Sequence, residues 1–314
     1  MWSRLEPLAF ALPLSMALLV TGCASSYAFG TASAASPGVD AVVAVGAENE
    51  YADVIQQIGG QYVKVSAILS NPNTDPHTFE ASASLARLLN SAQLVVQNGV
   101  GYDTFMNTIE TAVPSSSRQV LVVQKLLGLP DSTPNPHLWY KPGAMAAVAN
   151  AIAADLAALR PAHAAFFRAN AAAFVRSLKV WTNAIAAFKA KYPDTPVAVT
   201  EPVADYMLQA AGADNLTPWA LQADIMNGTD PSAQDVAIQR NLFTQHKVKV
   251  FLYNQQVTDS LTESFISLAH ANGIPVVGVY ETMPVPGYHY QSWMLAEVQD
   301  LRQAVADKTS SEHL

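Results

Sequence analysis

Residues 161–190 read PAHAAFFRANAAAFVRSLKVWTNAIAAFKA. Within them Phe167, Ala171, Phe174, Leu178, Trp181, Ile185 and Phe188 recur at alternating spacings of four and three, which is one apolar stripe along a helix. Pro161 suits the first turn, where its missing N–H leaves nothing unsatisfied. At 1.5 Å per residue the stretch predicts a single continuous helix about 45 Å long. That exceeds the usual helix in a globular domain, so it is expected to brace two lobes. A coiled-coil dimerisation helix fits less well, because the stripe contains Ala171 and has few flanking ion pairs.

On both sides of this helix short β-branched runs alternate with helical stretches. Strands are expected at 42–46, 63–69, 94–97 and 120–123, with helices at 51–58 and 84–91. After Pro193 come strands at 197–200, 248–253 and 274–279, and helices at 203–211, 233–245, 260–271 and 291–306. Such βαβ alternation implies mainly parallel sheets covered by helices. The expected fold class is α/β: two (β/α) lobes joined by one long rigid backbone helix. The N-terminal lobe spans 41–143, the connecting helices 144–192 and the C-terminal lobe 193–314.

The chain has 314 residues, 50% hydrophobic and 13% charged, which excludes a disordered protein and suits two domains. Its net charge of -8 argues against nucleic acid as a partner. Residues 1–22 read as a signal peptide: Arg4, then an apolar run over 8–20 that is too short for a permanent span. The run ends in Leu19-Val20-Thr21-Gly22-Cys23, the pattern of a bacterial lipoprotein signal in which Cys23 is lipidated. A plain secretory signal is the other reading. Cys23 is the sole cysteine, so no intramolecular disulfide and no thiolate metal cluster can form. Residues 23–40, rich in Ala, Ser and Gly, read as the lipidated cysteine and a flexible tether.

Four segments could carry chemistry. Asp75-Pro76-His77 and Asn135-Pro136-His137 match each other, each followed by an aromatic two residues on. Proline fixes φ ahead of the imidazole and the short polar residue before it favours a local turn, so each histidine is held in one orientation. Glu201 and Glu281 follow the expected strands at 197–200 and 274–279, where open α/β sheets place their ligands. Each could instead cap or open the next helix. Two imidazoles and two carboxylates suit zinc, manganese or ferrous iron, and a four-residue cage favours binding over hydrolysis. Asp205, four residues after Glu201, would share its helical face, as a reserve ligand or, the favoured reading, as a group that hydrogen-bonds a ligand from behind. Asn254 could line the cleft in the same way or belong to a structural turn. Trp139 and Tyr140 are expected to wall the site from water, and His289 to lie on the surface.

Together these segments resemble the solute-binding proteins of zinc/manganese-family ABC transporters, cluster A-I. The resemblance runs from about 41 to 306 and is carried by DPHTFEAS (75–82), NGVGYD (98–103), NPHLWYKP (135–142), TEPVADY (200–206) and VGVYETMP (277–284). It implies a metal in the cleft between the lobes, bound by His77 and His137 from one side and Glu201 and Glu281 from the other. Zinc specialists of that family commonly have a third histidine where Glu201 stands, an aspartate where Glu281 stands, and a histidine-rich loop that this chain lacks. The harder donor set brings manganese into contention with zinc. The resemblance further implies no enzymatic activity, an ABC permease as partner, and an extracytoplasmic monomer tied to the membrane by its lipid, at the cell surface or in the periplasm. The rival readings are a secreted metallohydrolase using the same residues, against which stands the absence of a His-Glu-x-x-His pair, and a surface adhesin on the same fold.

Overall fold

The computed structural model describes residues 41–72, 79, 82–284 and 286–314. The signal peptide, Cys23, the tether and the Asp75-Pro76-His77 segment lie outside them. The first sheet is built from β1 (Val42–Glu48), α1 (Asn49–Gly59), β2 (Val63–Leu69), α2 (Ala83–Ser91), β3 (Leu94–Gln97), α3 (Thr104–Ala112), β4 (Gln119–Val122) and the short α4 (Val123–Leu126). Its strands run parallel in the order β2-β1-β3-β4. β1 and β3 are central and almost wholly buried, which is why they read as continuous apolar runs rather than alternating ones.

Three helices follow: α5 (Ala144–Leu159), α6 (Ala164–Ser177) and α7 (Lys179–Lys191). The apolar stripe lies along α6 and α7, and Phe167, Ala171, Phe174, Leu178, Trp181, Ile185 and Phe188 are all buried. The expected single helix is instead two segments meeting at Leu178. The backbone there keeps helical values (φ -62°, ψ -17°), and Thr182 N still donates to Leu178 O at 3.0 Å. Ser177 supplies the cause. Its hydroxyl donates to Phe174 O at 2.7 Å, the carbonyl that Leu178 N also uses at 3.2 Å. Such back-bonding by a mid-helix serine bends the helix without breaking it.

The second sheet repeats the design with β5 (Thr195–Val199), α8 (Asp205–Ala210), β6 (Ala213–Asn215), α9 (Trp219–Met226), α10 (Ala233–Thr244), β7 (Val250–Asn254), α11 (Ser260–Ala271), β8 (Val276–Val279) and α12 (Tyr290–Asp307). Its strands are parallel in the order β6-β5-β7-β8, the same pattern as the first sheet. One apolar core runs through both halves, from Val45 and Leu94 through Phe167 and Trp181 to Val199, Val277 and Trp293. A smaller cluster around Phe243, Phe251 and Phe265 lies beneath α10 and α11. No helix among the described residues is long and apolar enough to cross a membrane.

A candidate metal centre between the strand ends

The C-terminal ends of β1, β3, β5, β7 and β8 all feed one region. His137 lies in the loop after the first sheet, Glu201 two residues past β5, Asn254 at the end of β7 and Glu281 two residues past β8. All four are buried. Neither glutamate caps a helix: α8 starts at Asp205 and α12 at Tyr290, with Ala204 and His289 at their N-caps.

The Asn-Pro-His turn is built to hold an imidazole. Asn135 Nδ2 donates to Pro202 O at 2.7 Å, which fixes the amide and turns its Oδ1 back on the loop. That oxygen accepts from His137 N at 2.9 Å and lies 2.8 Å from His137 Nδ1. With Oδ1 as the acceptor, Nδ1 must carry the proton. Nε2 is then the ring atom turned to the partner, the arrangement metal-binding histidines use. It faces Glu281 Oε2 at 3.3 Å, with both side chains fully buried. The Asn135–Pro202 bond also docks the histidine turn directly onto the Thr200-Glu201-Pro202 turn, and Tyr206 Oη adds a bond to Asn135 O at 2.9 Å.

Asn254 joins the two carboxylates. Its Nδ2 donates to Glu201 Oε1 at 3.2 Å and to Glu281 Oε1. Its own backbone N–H is held by Thr200 Oγ1 at 2.9 Å. Gln256 clamps the loop from below, its Oε1 accepting from both Glu281 N and Thr282 N at 2.7 Å. From the other sheet Tyr102 Oη donates to Glu281 Oε2 at 2.8 Å, and burial beside that carboxylate pushes the phenol well above its ordinary range. Trp139 packs edge-on to His137 and Tyr102, with ring centroids 5.4 and 5.0 Å away.

Gln256 follows Asn254 in a stretch that the sequence offered as a cleft lining, whereas Tyr102 was not singled out as a site residue. Tyr102 lies in NGVGYD, where Asp103 takes the amides of Asn98 and Gly99 at 2.6 and 2.9 Å and so shapes the turn that presents the tyrosine. Asp205 is placed differently from expectation. Residues 201–204 are not helical, so the shared helical face with Glu201 does not exist. Asp205 accepts from Asn215 Nδ2 at 3.0 Å, and burial raises its carboxyl to about 6. His289 is exposed as expected, paired with Asp53 at 2.7 Å.

Among the described residues no three His, Cys, Asp or Glu side chains converge as a group able to hold a metal. Two, His137 and Glu281, touch, and Glu201 is one amide away. His77 is outside the described residues. Phe79, two positions further on, lies against Phe105 (4.8 Å between ring centroids) and shares with Thr282 the lining of a cavity of about 100 Å³. The chain resumes, then, next to the Glu281 turn.

A model of the family described as zinc-uptake complex component A, periplasmic (ZnuA) matches residues 45–304. The manganese-binding lipoprotein MntA of Bacillus subtilis is 26% identical over 166 residues, 51% of this chain and 52% of its own length. The zinc-binding protein TroA of Treponema pallidum is 28% identical over 120 residues, 37% of this chain and 38% of its own length. The chain thus matches about half or less of these relatives. The solved structure of the Treponema protein superposes with a TM-score of 0.71 at 18% identity, covering 88% of this chain and 100% of the other, so the two share a fold.

Proposed function

This chain belongs to the zinc-uptake complex component A family, and from that premise we propose that it captures a divalent transition metal outside the cytoplasm and delivers it to an ABC importer. The metal is cargo, and no catalytic step is assigned to the site. The observation that carries the reading is the buried contact of His137 Nε2 with Glu281 Oε2 at 3.3 Å, which joins loops from the two sheets through donors that suit a cation.

In this reading His77, His137, Glu201 and Glu281 are the ligands. A divalent ion takes over the work now done by the Asn254 amide between the carboxylates and sits between His137 Nε2 and Glu281. Asn254 then hydrogen-bonds the ligands from behind, and Asp205 orders α8 through Asn215. The donor set admits zinc, manganese or ferrous iron. The names of the Bacillus and Treponema relatives support manganese and zinc respectively. The lipid anchor at Cys23, a monomeric state, an ABC permease partner and the division into 41–143, 144–192 and 193–314 belong to the same proposal.

Elemental analysis of the purified protein tests it. Wild type should carry about one zinc or manganese per chain, and His137→Ala or His77→Ala should lose it. Equal metal in wild type and both variants would rule out this ligand set. Because a bound imidazole must be neutral, affinity should also fall between pH 7.5 and 5.5, about the ordinary histidine value of 6.5.

A further inference from the structure

In the two sheets β4 and β8 occupy equivalent edges. The edge at β8 is completed from within the chain. Gly278 N donates to Ser311 O at 2.8 Å, Ser311 N donates to Val276 O at 2.9 Å, and Val277 and Ser311 pair as a parallel bridge. No segment among the described residues covers β4 in this way. Gln119 N donates to Gln93 O at 2.9 Å. Since bonding alternates along a parallel strand, the N–H and C=O of Val120 and Val122 then face the open side. Val120 is 41% exposed. Exposed strand edges are templates for pairing, and native folds ordinarily blunt them with a charge, as Lys64 does on the outer strand β2.

Over this edge lies a cavity of about 980 Å³, walled on its far side by α3 and the turn carrying Asp131. Its lining is rich in acceptors. Gln97 is buried, yet its Oε1 accepts no hydrogen bond among the described residues, and Glu110 Oε1 is buried in the same condition. Asp131 receives the Gln124 amide at 2.7 Å and no other hydrogen bond among the described residues. Among the described residues Lys125 is the one cation lining the cavity. The nearby Arg118 guanidinium is turned to Leu89 O and Val113 O.

We propose that this edge is a docking site for an extended, lysine- or arginine-bearing peptide segment of another protein, which adds to β4 as a parallel fifth strand and sets its cationic side chains among Gln97, Glu110 and Asp131. The tail at β8 shows the geometry, and the lining sets the charge. Residues 24–40 of this chain contain no lysine or arginine, which points to a separate partner. The inference stands whether or not the metal reading does.

A fluorescent hexapeptide alternating valine and lysine, titrated against the full chain and followed by anisotropy, tests it. Binding to wild type should weaken about tenfold in Val120→Pro, which removes an outward N–H without touching the ladder, and about tenfold in Glu110→Gln with Asp131→Asn. The matching valine–glutamate peptide should not bind. Wild-type affinity in either variant, equal binding of the acidic peptide, or displacement by equimolar spermidine would overturn the proposal. Thermal unfolding reports whether Val120→Pro folds; if it does not, the carboxylate pair decides.

Discussion

Asn49 and Met283, 234 positions apart, exchange two hydrogen bonds: Asn49 Nδ2 donates to Met283 O at 2.8 Å and Met283 N donates to Asn49 Oδ1 at 3.0 Å. A side-chain amide at the start of α1 thereby completes the backbone of the turn that carries Glu281. The same face of α1 continues the grip. Asp53 accepts from Tyr290 N at 2.9 Å, and Gln57 and Gln291 exchange amide bonds at 3.0 and 2.7 Å. Residues 49, 53 and 57 are spaced by four, so one helix stripe holds both ends of the 281–290 loop. With one core beneath both sheets, closure on a ligand is expected as a local adjustment rather than a wide hinge.

Replacing Asn49 with alanine should cost about 2–4 kcal/mol, because it strands a buried N–H and a buried C=O rather than merely deleting a contact. Asn49→Asp keeps the acceptor and loses the donor, so it should fall between the two. Urea unfolding of the three proteins gives that order. An alanine variant as stable as wild type would mean the Met283 backbone finds other partners.

Tyr102→Phe isolates one hydroxyl. The ring should keep its packing against Trp139, while Glu281 loses one of the donors that orient it and keeps Asn254. Expected is a metal affinity lower by about tenfold, with folding stability down by only ~1 kcal/mol. Chelator competition and thermal unfolding separate the two effects. A melting shift with unchanged affinity would make Tyr102 purely structural.

Why Tyr102 escapes a reading of the sequence is plain from its partner, 179 positions away. Local chemistry reveals which residues make a turn, not what the turn faces. The strands 63–69 and 94–97 were legible to the residue, because β-branched runs bounded by turn residues have few other fates. The strand ends therefore placed Glu201 and Glu281 at the tips of parallel strands. The bend at Leu178 was hidden, since Ser177 is an ordinary helix residue until its hydroxyl turns to Phe174 O. Asp205 was misread because the spacing of four assumes a helix that starts only at Asp205 itself. The three-residue β6 is too short for any period to show.

Gly278 lies where the C-terminal tail meets β8. A Cβ there would stand 2.2 Å from Glu312 O and 2.2 Å from Gln255 Nε2. The side chain can swing away, but the backbone oxygen moves only if the tail does. Gly278→Ala should therefore release the Val277–Ser311 bridge and destabilise the protein by about 1–3 kcal/mol. Hydrogen exchange at the Gly278 and Ser311 amides should rise together. Exchange unchanged at both would show that the tail is not held by this approach.

Glu297 on α12 sets a pH dependence of stability. Burial lifts its carboxyl to about 8, against the donors Tyr140 Oη at 3.0 Å and Trp293 Nε1 at 2.9 Å, both of which pull it down. The folded state thus keeps a proton that the unfolded chain releases near the ordinary glutamate value of about 4.3. Protons bound to the native state exceed those on the unfolded state between these values, so stability is full below the lower one and declines as pH rises through the higher. At roughly 1.4 kcal/mol per unit the loss from this group amounts to a few kcal/mol by pH 8. Glu297→Gln keeps an acceptor for Tyr140 and Trp293 but cannot ionise. It should flatten the decline between pH 5 and 8 without abolishing it, because burial also raises Glu48 and Glu50. Denaturant unfolding of both proteins at pH 5, 6.5 and 8 measures the two slopes, and parallel slopes would show that Glu297 is already ionised in the folded state across this range.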